Sequence, residues 1–200
     1  MNKNLKRESI VKKELYVFID NSFLFIQGYK HVKKVTNLPN NKKPVLNYKK
    51  LRNFIEEYGE GIIKRIVLVG SNLSGNLYST CQLNGIEPFS LPKYPDIKSG
   101  RKIEKGVDMK VAWEIAKTIF TNKDPVGNKK IILCSGDKDF ISILSDIHTS
   151  NWSFELWLWN NAYSKVYEQY VNTFGSIKAL DNEWKKFIDI VDSKNKTSQI

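Results

Sequence analysis

Two cysteines and two histidines are all that 200 residues offer of the soft and borderline metal ligands. Cys81 and Cys134 stand far apart, outside any Cys-x-x-Cys or Cys/His spacing, so a disulfide framework and a zinc site are both excluded, and a cytoplasmic location is expected. His31 and His148 have no partner identifiable in sequence, and no Ser/His/Asp set or activated thiol offers nucleophilic catalysis. Long apolar runs are also missing. The run Leu15 to Ile19 follows a basic N-terminus, but Asp20-Asn21 interrupts it and no small-residue cleavage site follows, so neither a signal peptide nor a membrane span is expected. Acid is in short supply, with 32 Lys+Arg against 21 Asp+Glu and a net charge of +11. With 41% hydrophobic and 12% aromatic residues the chain is nevertheless globular in composition, long enough for one sizeable core.

Residues 1–14 are polar and basic and read as an N-terminal arm, and 193–200 read as a polar tail, leaving one domain over 15–192. Within it, apolar runs at 15–19, 62–69, 86–91, 131–134 and 154–159 predict strands, the nearly unbroken ones buried on both faces as in a parallel sheet. Helical spacing predicts a helix over 107–120, with Val107, Val111, Ala112, Ile115, Ala116, Ile119 and Phe120 inward and Lys110, Glu114 and Lys117 outward. Segments 48–58, 74–84, 139–147, 162–172 and 182–191 read as further helices. The expected fold is therefore a three-layer α/β/α domain with a central, mainly parallel sheet. In the strand 154–159, Trp157 and Trp159 are assigned to packing rather than to a ligand platform.

Open parallel sheets bind ligands beyond the carboxyl ends of their strands, near the point where strand order reverses. Three acidic pieces are expected at that edge. Asp20 ends the first strand, Asp137 and Asp139 follow the strand 131–134, and Asp108 opens the 107–120 helix. Each has an ordinary duty open to it: Asp20 and Asp139 as helix N-caps, Asp108 as a complement to the helix dipole; Asp137, in the turn itself, has none. Carboxylates gathered this closely repel one another and are best tolerated around a divalent ion, and oxygen ligands without His or Cys suit Mg²⁺ or Mn²⁺.

The pieces Phe18-Ile19-Asp20-Asn21-Ser22, Glu104-Lys105-Gly106-Val107-Asp108 and Ser135-Gly136-Asp137-Lys138-Asp139-Phe140 resemble the NYN domain family, the LabA/DUF88-type branch of the PIN-like nucleases, in order and approximate spacing over about 15–175. The resemblance implies a PIN-like fold and a Mg²⁺- or Mn²⁺-dependent endoribonuclease. It marks Asp20, Asp108, Asp137 and Asp139 as catalytic and metal-binding, with Asn21 and Ser135 as supporting polar groups. In one respect the chain departs from the pattern: many members continue the first motif as Asp-x-x-Asn, and Phe23 stands at that place.

From Gly28 to Arg52 eight cations occur without an acid: Lys30, Lys33, Lys34, Lys42, Lys43, Lys49, Lys50 and Arg52, with Tyr29 and Tyr48 among them. Lys93, Lys98, Arg101, Lys102 and Lys105 lead to Asp108 as a second basic wall. Such a surface can neutralise phosphates, with tyrosine rings stacking on bases, so single-stranded or locally unpaired RNA is the expected partner. A catalytically silent module that binds RNA or a protein partner is the alternative, and homo-oligomerisation stays open. A Mg²⁺-dependent phosphatase is disfavoured, because the first loop lacks Asp-x-Asp and the positive charge is surplus for a small substrate.

Overall fold

A computed structural model describes residues 12–96, 100–122 and 128–193. Most of the proposed N-terminal arm, Lys98 and nearly all of the proposed tail lie outside the described residues.

The chain opens with β1 (Lys13–Asp20), whose last six residues are buried on both faces. One wide π-type turn, Phe23–Gln27, runs directly into α1 (Gly28–Thr36), and β2 (Lys42–Leu46) and α2 (Tyr48–Tyr58) follow. Asn47 starts α2 by accepting from the Lys50 N–H at 3.0 Å. Next come β3 (Gly61–Ser71), α3 (Gly75–Leu83) and β4 (Glu87–Leu91), then a two-residue ladder of β5 (Tyr94–Pro95) with β6 (Lys102–Ile103). α4 (Val107–Thr121), β7 (Lys129–Cys134), α5 (Ile141–Thr149), β8 (Ser153–Leu158), α6 (Val166–Phe174), β9 (Gly175–Ala179) and β10 (Ile188–Asp192) complete the order.

Six strands form one parallel sheet in the order β4-β3-β1-β7-β8-β9. The chain builds outward from β1 in one direction with β3 and β4, then returns to its other side with β7, β8 and β9. The strand order therefore reverses between β1 and β7. α4 packs on β1 and β3, and α4, α5 and α6 contact one another in turn, while α2 lies against β3. The result is the three-layer α/β/α architecture with a central parallel sheet. No helix among the described residues is long and apolar enough to cross a membrane.

Three local expectations are corrected. Segment 182–191 is not a helix: a single 3-10 turn at Trp184–Lys186 leads into β10, which pairs antiparallel with β2, so Lys42 and Lys43 of the basic run lie on a strand. The sixth sheet strand, β9, is an addition. On α4 the polar and apolar faces are partly exchanged. Glu114 is buried at 1% exposure because Arg65 (2.8 Å) and Lys110 (2.6 Å) bind its carboxylate, whereas Phe120 is 68% exposed. Trp157 and Trp159 are core residues, and the Trp157 indole N–H donates to Glu155 Oε2 at 2.8 Å.

Candidate active site

At the carboxyl edge, β1 and β7 run in register up to Ile19 opposite Cys134. Asp20 and Ser135 thus leave neighbouring strands side by side at the switch point. Asp20 is buried, and its Oδ1 accepts from the Ser22 N–H (2.9 Å), the Ser22 hydroxyl (2.8 Å) and the Phe23 N–H (3.1 Å). The ordinary N-cap duty is real, and all three bonds fall on one oxygen. Burial raises the Asp20 pKa, the Ser22 and Phe23 donors hold it back, and Glu104 adds a further upward push.

Beyond β7, the buried Ser135 hydroxyl accepts from the Asp137 N–H at 3.4 Å. Asp137 Oδ1 accepts from the Asp139 N–H at 3.0 Å and caps the short turn Lys138–Phe140. The capping role expected of Asp139 therefore belongs to Asp137, because the turn starts at Lys138, two residues before the start that an Asp139 cap requires. The Tyr167 hydroxyl donates to the Asp137 carbonyl oxygen and ties the turn to α6. Gly136 is required by crowding. A Cβ there would stand 2.7 Å from the Phe23 ring and meet the Ala162 carbonyl oxygen. Phe23, buried at 8% exposure, thus fills the space beneath the Asp137 turn.

The third piece enters through Gly106, whose φ of +80° is the left-handed conformation that glycine adopts without strain, so the chain turns sharply into α4 and places Asp108 in its first turn. The Asp108 pKa is raised to about 6, first by burial, then by the negative charges of Asp137, Asp20, Asp139 and Glu104. The other three predicted acids therefore all lie within electrostatic reach of Asp108, and Glu104 joins them. Glu104 was legible only as a letter of the Glu-Lys-Gly-Val-Asp piece; Tyr167 had no signal beyond its place in an amphipathic segment.

Among the described residues no three His, Cys, Asp or Glu side chains are arranged to ligate one ion. Mg²⁺, however, ordinarily keeps several waters and takes only one or two carboxylates directly. A set of hard oxygen donors carrying uncompensated negative charge around Asp108 fits a hydrated ion of that kind.

The basic residues divide into two groups. Lys50 is bound to Asp189 (2.5 Å), Lys42 approaches Asp192 (3.8 Å), and Arg52 donates to the Gly85 carbonyl at 3.3 Å, so these three serve the fold. Among the described residues, Lys30, Lys33, Lys34, Lys43, Lys49, Lys102 and Lys105 form no ion pair. Arg101 lies just before β6. Lys33 sits over the Tyr29 ring at 5.4 Å. Tyr48, in contrast, is buried at 3% exposure and is not a surface stacking ring. His31 is no surface residue either: on α1, its ring contacts Asp181 at 3.2 Å.

A parallel sheet with acids gathered at its switch point defines a nuclease-type α/β/α domain. The family model of the NYN domain matches residues 14–178, and the chain belongs to that family, a branch of the PIN-like nucleases, whose members are generally nucleases and typically use divalent metals. No curated protein matches the chain.

Proposed function

We propose that this protein is a Mg²⁺- or Mn²⁺-dependent endoribonuclease in which Asp20, Asp108, Asp137 and Asp139 form the acidic site. The observation that carries the reading is the Asp108 carboxyl, pushed up to about 6 by burial and by four neighbouring acids at the sheet's switch point. A divalent ion bound there would polarise a phosphoryl oxygen, lower the pKa of water for in-line attack and stabilise the leaving 3′ oxygen.

The chain's own residues supply orientation and charge. Ser22 and the Phe23 N–H fix one oxygen of Asp20, which leaves the other for the ion. Ser135 and Tyr167 hold the turn that carries Asp137 and Asp139. Asp108, on which the negative charges of the other acids converge, is the carboxylate whose charge a cation bound here would stabilise most. Asn21 supports the first loop, and Lys30, Lys33, Lys34, Lys43, Lys49, Arg101, Lys102 and Lys105 are the cations offered to phosphates.

The test is incubation of purified protein with labelled RNA and DNA in Mn²⁺, Mg²⁺ or EDTA beside Asp137→Asn. Internal cuts bearing 5′-phosphate and 3′-hydroxyl ends, absent in EDTA, are expected. A 2′,3′-cyclic phosphate product or undiminished cutting in EDTA would exclude the mechanism. The second reading, a silent RNA-binding module, is favoured by Phe23. Its ring occupies the space under the Asp137 turn where many family members carry Asn. Binding without cutting in either metal would establish that reading.

A further inference from the structure

Two cavities lead away from the acids along the π-type turn and share Phe25 and Ile26. The inner one, about 150 Å³, is bounded by Asn21, Ser71, Leu77 and Glu104. The outer one, about 440 Å³, is walled by Tyr29, Pro44 and Val45, with Lys30 and Lys43 beside them. The inner cavity adjoins Asp20 through Ser22, which lines it and binds the Asp20 carboxylate.

We propose that these cavities are consecutive base subsites for one RNA strand. The inner one takes the single-ring base of a pyrimidine nucleotide next to the bond presented to the acids. The outer one takes the neighbouring base, stacked on Tyr29, with Lys30 and Lys43 on its phosphates. The proposal rests on the RNA part of the reading above and deepens it by naming a sequence preference.

Size limits the inner occupant. A cavity of roughly 150 Å³ holds a benzene-sized ring, and pockets for larger ligands start near 300 Å³. Chemistry then selects among rings. Two side-chain oxygens of its lining residues, Asn21 Oδ1 and Ser71 Oγ, are buried without a hydrogen-bond partner among the described residues, and Ser71 itself is only 9% exposed. Buried polar groups almost always have partners, and a site built to hydrogen-bond its substrate is where exceptions are expected. An amide and a hydroxyl together offer both donors and acceptors, which the edge of a uracil or cytosine requires. The outer cavity has no such polar pair. Its Tyr29 and Phe25 rings, 6.3 Å apart, offer π-faces to any base, and its two lysines form no ion pair among the described residues. Charge of one sign beside aromatic walls fits a polyanion strand.

Equilibrium binding separates this from the chemistry. Asp137→Asn protein in EDTA, titrated with short labelled oligo(U), oligo(C) and oligo(A), should hold both pyrimidine strands about ten-fold more tightly than oligo(A). Adding Ser71→Ala should shrink that ratio severalfold without lowering Tm, because this hydroxyl has no partner among the described residues. Tyr29→Ala should weaken all three about ten-fold and leave the ratio unchanged. Equal affinity for oligo(A) and oligo(U), or a ratio indifferent to Ser71→Ala, overturns the proposal. If the wild-type protein cuts RNA without pyrimidine bias at its cut positions, the subsites alone fall. If it binds with the stated preference but never cuts, the nuclease reading falls and the subsites stand. No binding to any strand removes both and leaves the outer groove to a protein ligand.

Discussion

Two sets of buried or half-buried carboxylates sit in one fold and are treated in opposite ways. On the α4 side of β3, Glu114 is enclosed but paired with Arg65 and Lys110, and Arg65 also holds Glu87, so the Glu114 pKa is lowered despite its burial. Glu155, on β8, lies among Lys130, Lys178 and the Trp157 N–H. At the carboxyl edge, Asp20 and Asp108 have donors or nothing, no lysine or arginine among the described residues binds them, and their pKa values rise. The chain carries a surplus of eleven positive charges. Cations are therefore not scarce, and the charge at this edge is what the ion of the proposed function would neutralise.

The paired set is where mutation should cost most stability. Glu114→Ala strips the Arg65 and Lys110 charges of their enclosed partner and should destabilise the protein by about 3–5 kcal/mol in urea denaturation. A loss below about 1 kcal/mol would mean that this network is as dispensable as a surface pair. The unpaired set should show the reverse. Asp137→Asn keeps the cap on the Asp139 N–H but removes a charge, so Tm should hold while cleavage falls on the order of 10²–10³-fold. Equal damage to both properties would erase the contrast between the two sets.

The same division sharpens the basic surface. Lys30 and Lys43 form no ion pair among the described residues, whereas Lys42 and Lys50 have Asp192 and Asp189. Lys30→Ala with Lys43→Ala should weaken RNA binding about ten-fold and flatten the slope of log affinity against log salt by about 1.4, at roughly 0.7 per single-strand phosphate contact. Lys42→Ala with Lys50→Ala should change affinity less than about two-fold by the same titration. Equal slopes for the two double variants would show that pairing in the fold does not decide which lysines meet phosphate.

Much of the edge was legible because each acidic piece abuts a strongly patterned element. Asp20 closes five apolar residues, Asp108 starts a helical repeat, and Ser135-Gly136-Asp137 follows a wholly buried strand. What was hidden depends on distant partners or on a residue or two of register. Glu114 occupies a polar position of its helix and gives no sign of burial, since Arg65 lies 49 residues away. Segment 182–191 carries apolar residues at spacings that suit a helix or a strand, and its pairing with β2 settles the choice. Asp137 rather than Asp139 became the cap because the turn begins two residues earlier. The two cavities have no sequence signal, since Asn21, Ser71 and Tyr29 come from three separate elements.

The smallest expected effect tests the comparison most directly, because it asks whether the fold itself is held back by the unpaired acids. A carboxyl whose pKa is higher folded than unfolded binds its proton more tightly in the native state, so it favours folding at low pH and loses that contribution as pH rises. For Asp108 the window runs from about 4, the ordinary value for Asp in an unfolded chain, to about 6. Above it the charged side chain opposes folding, and Asp108→Asn, which cannot ionise, should be more stable than the wild type. With water reaching part of this side chain and the helix dipole favouring its charge, the gain should be about 1 kcal/mol near pH 7 in EDTA. It should shrink towards zero as the pH is lowered through the window. Taking the difference between the two proteins at each pH matters, because Glu114 and Asp189, whose pKa values are lowered, drive total stability the other way. Paired urea titrations from pH 4 to pH 8 measure it, and repeating them with Mg²⁺ should raise the wild type more than the variant. A variant less stable than the wild type at every pH would show that Asp108 stabilises the fold as a complement to its helix dipole, and that the two sets of carboxylates are not opposites after all.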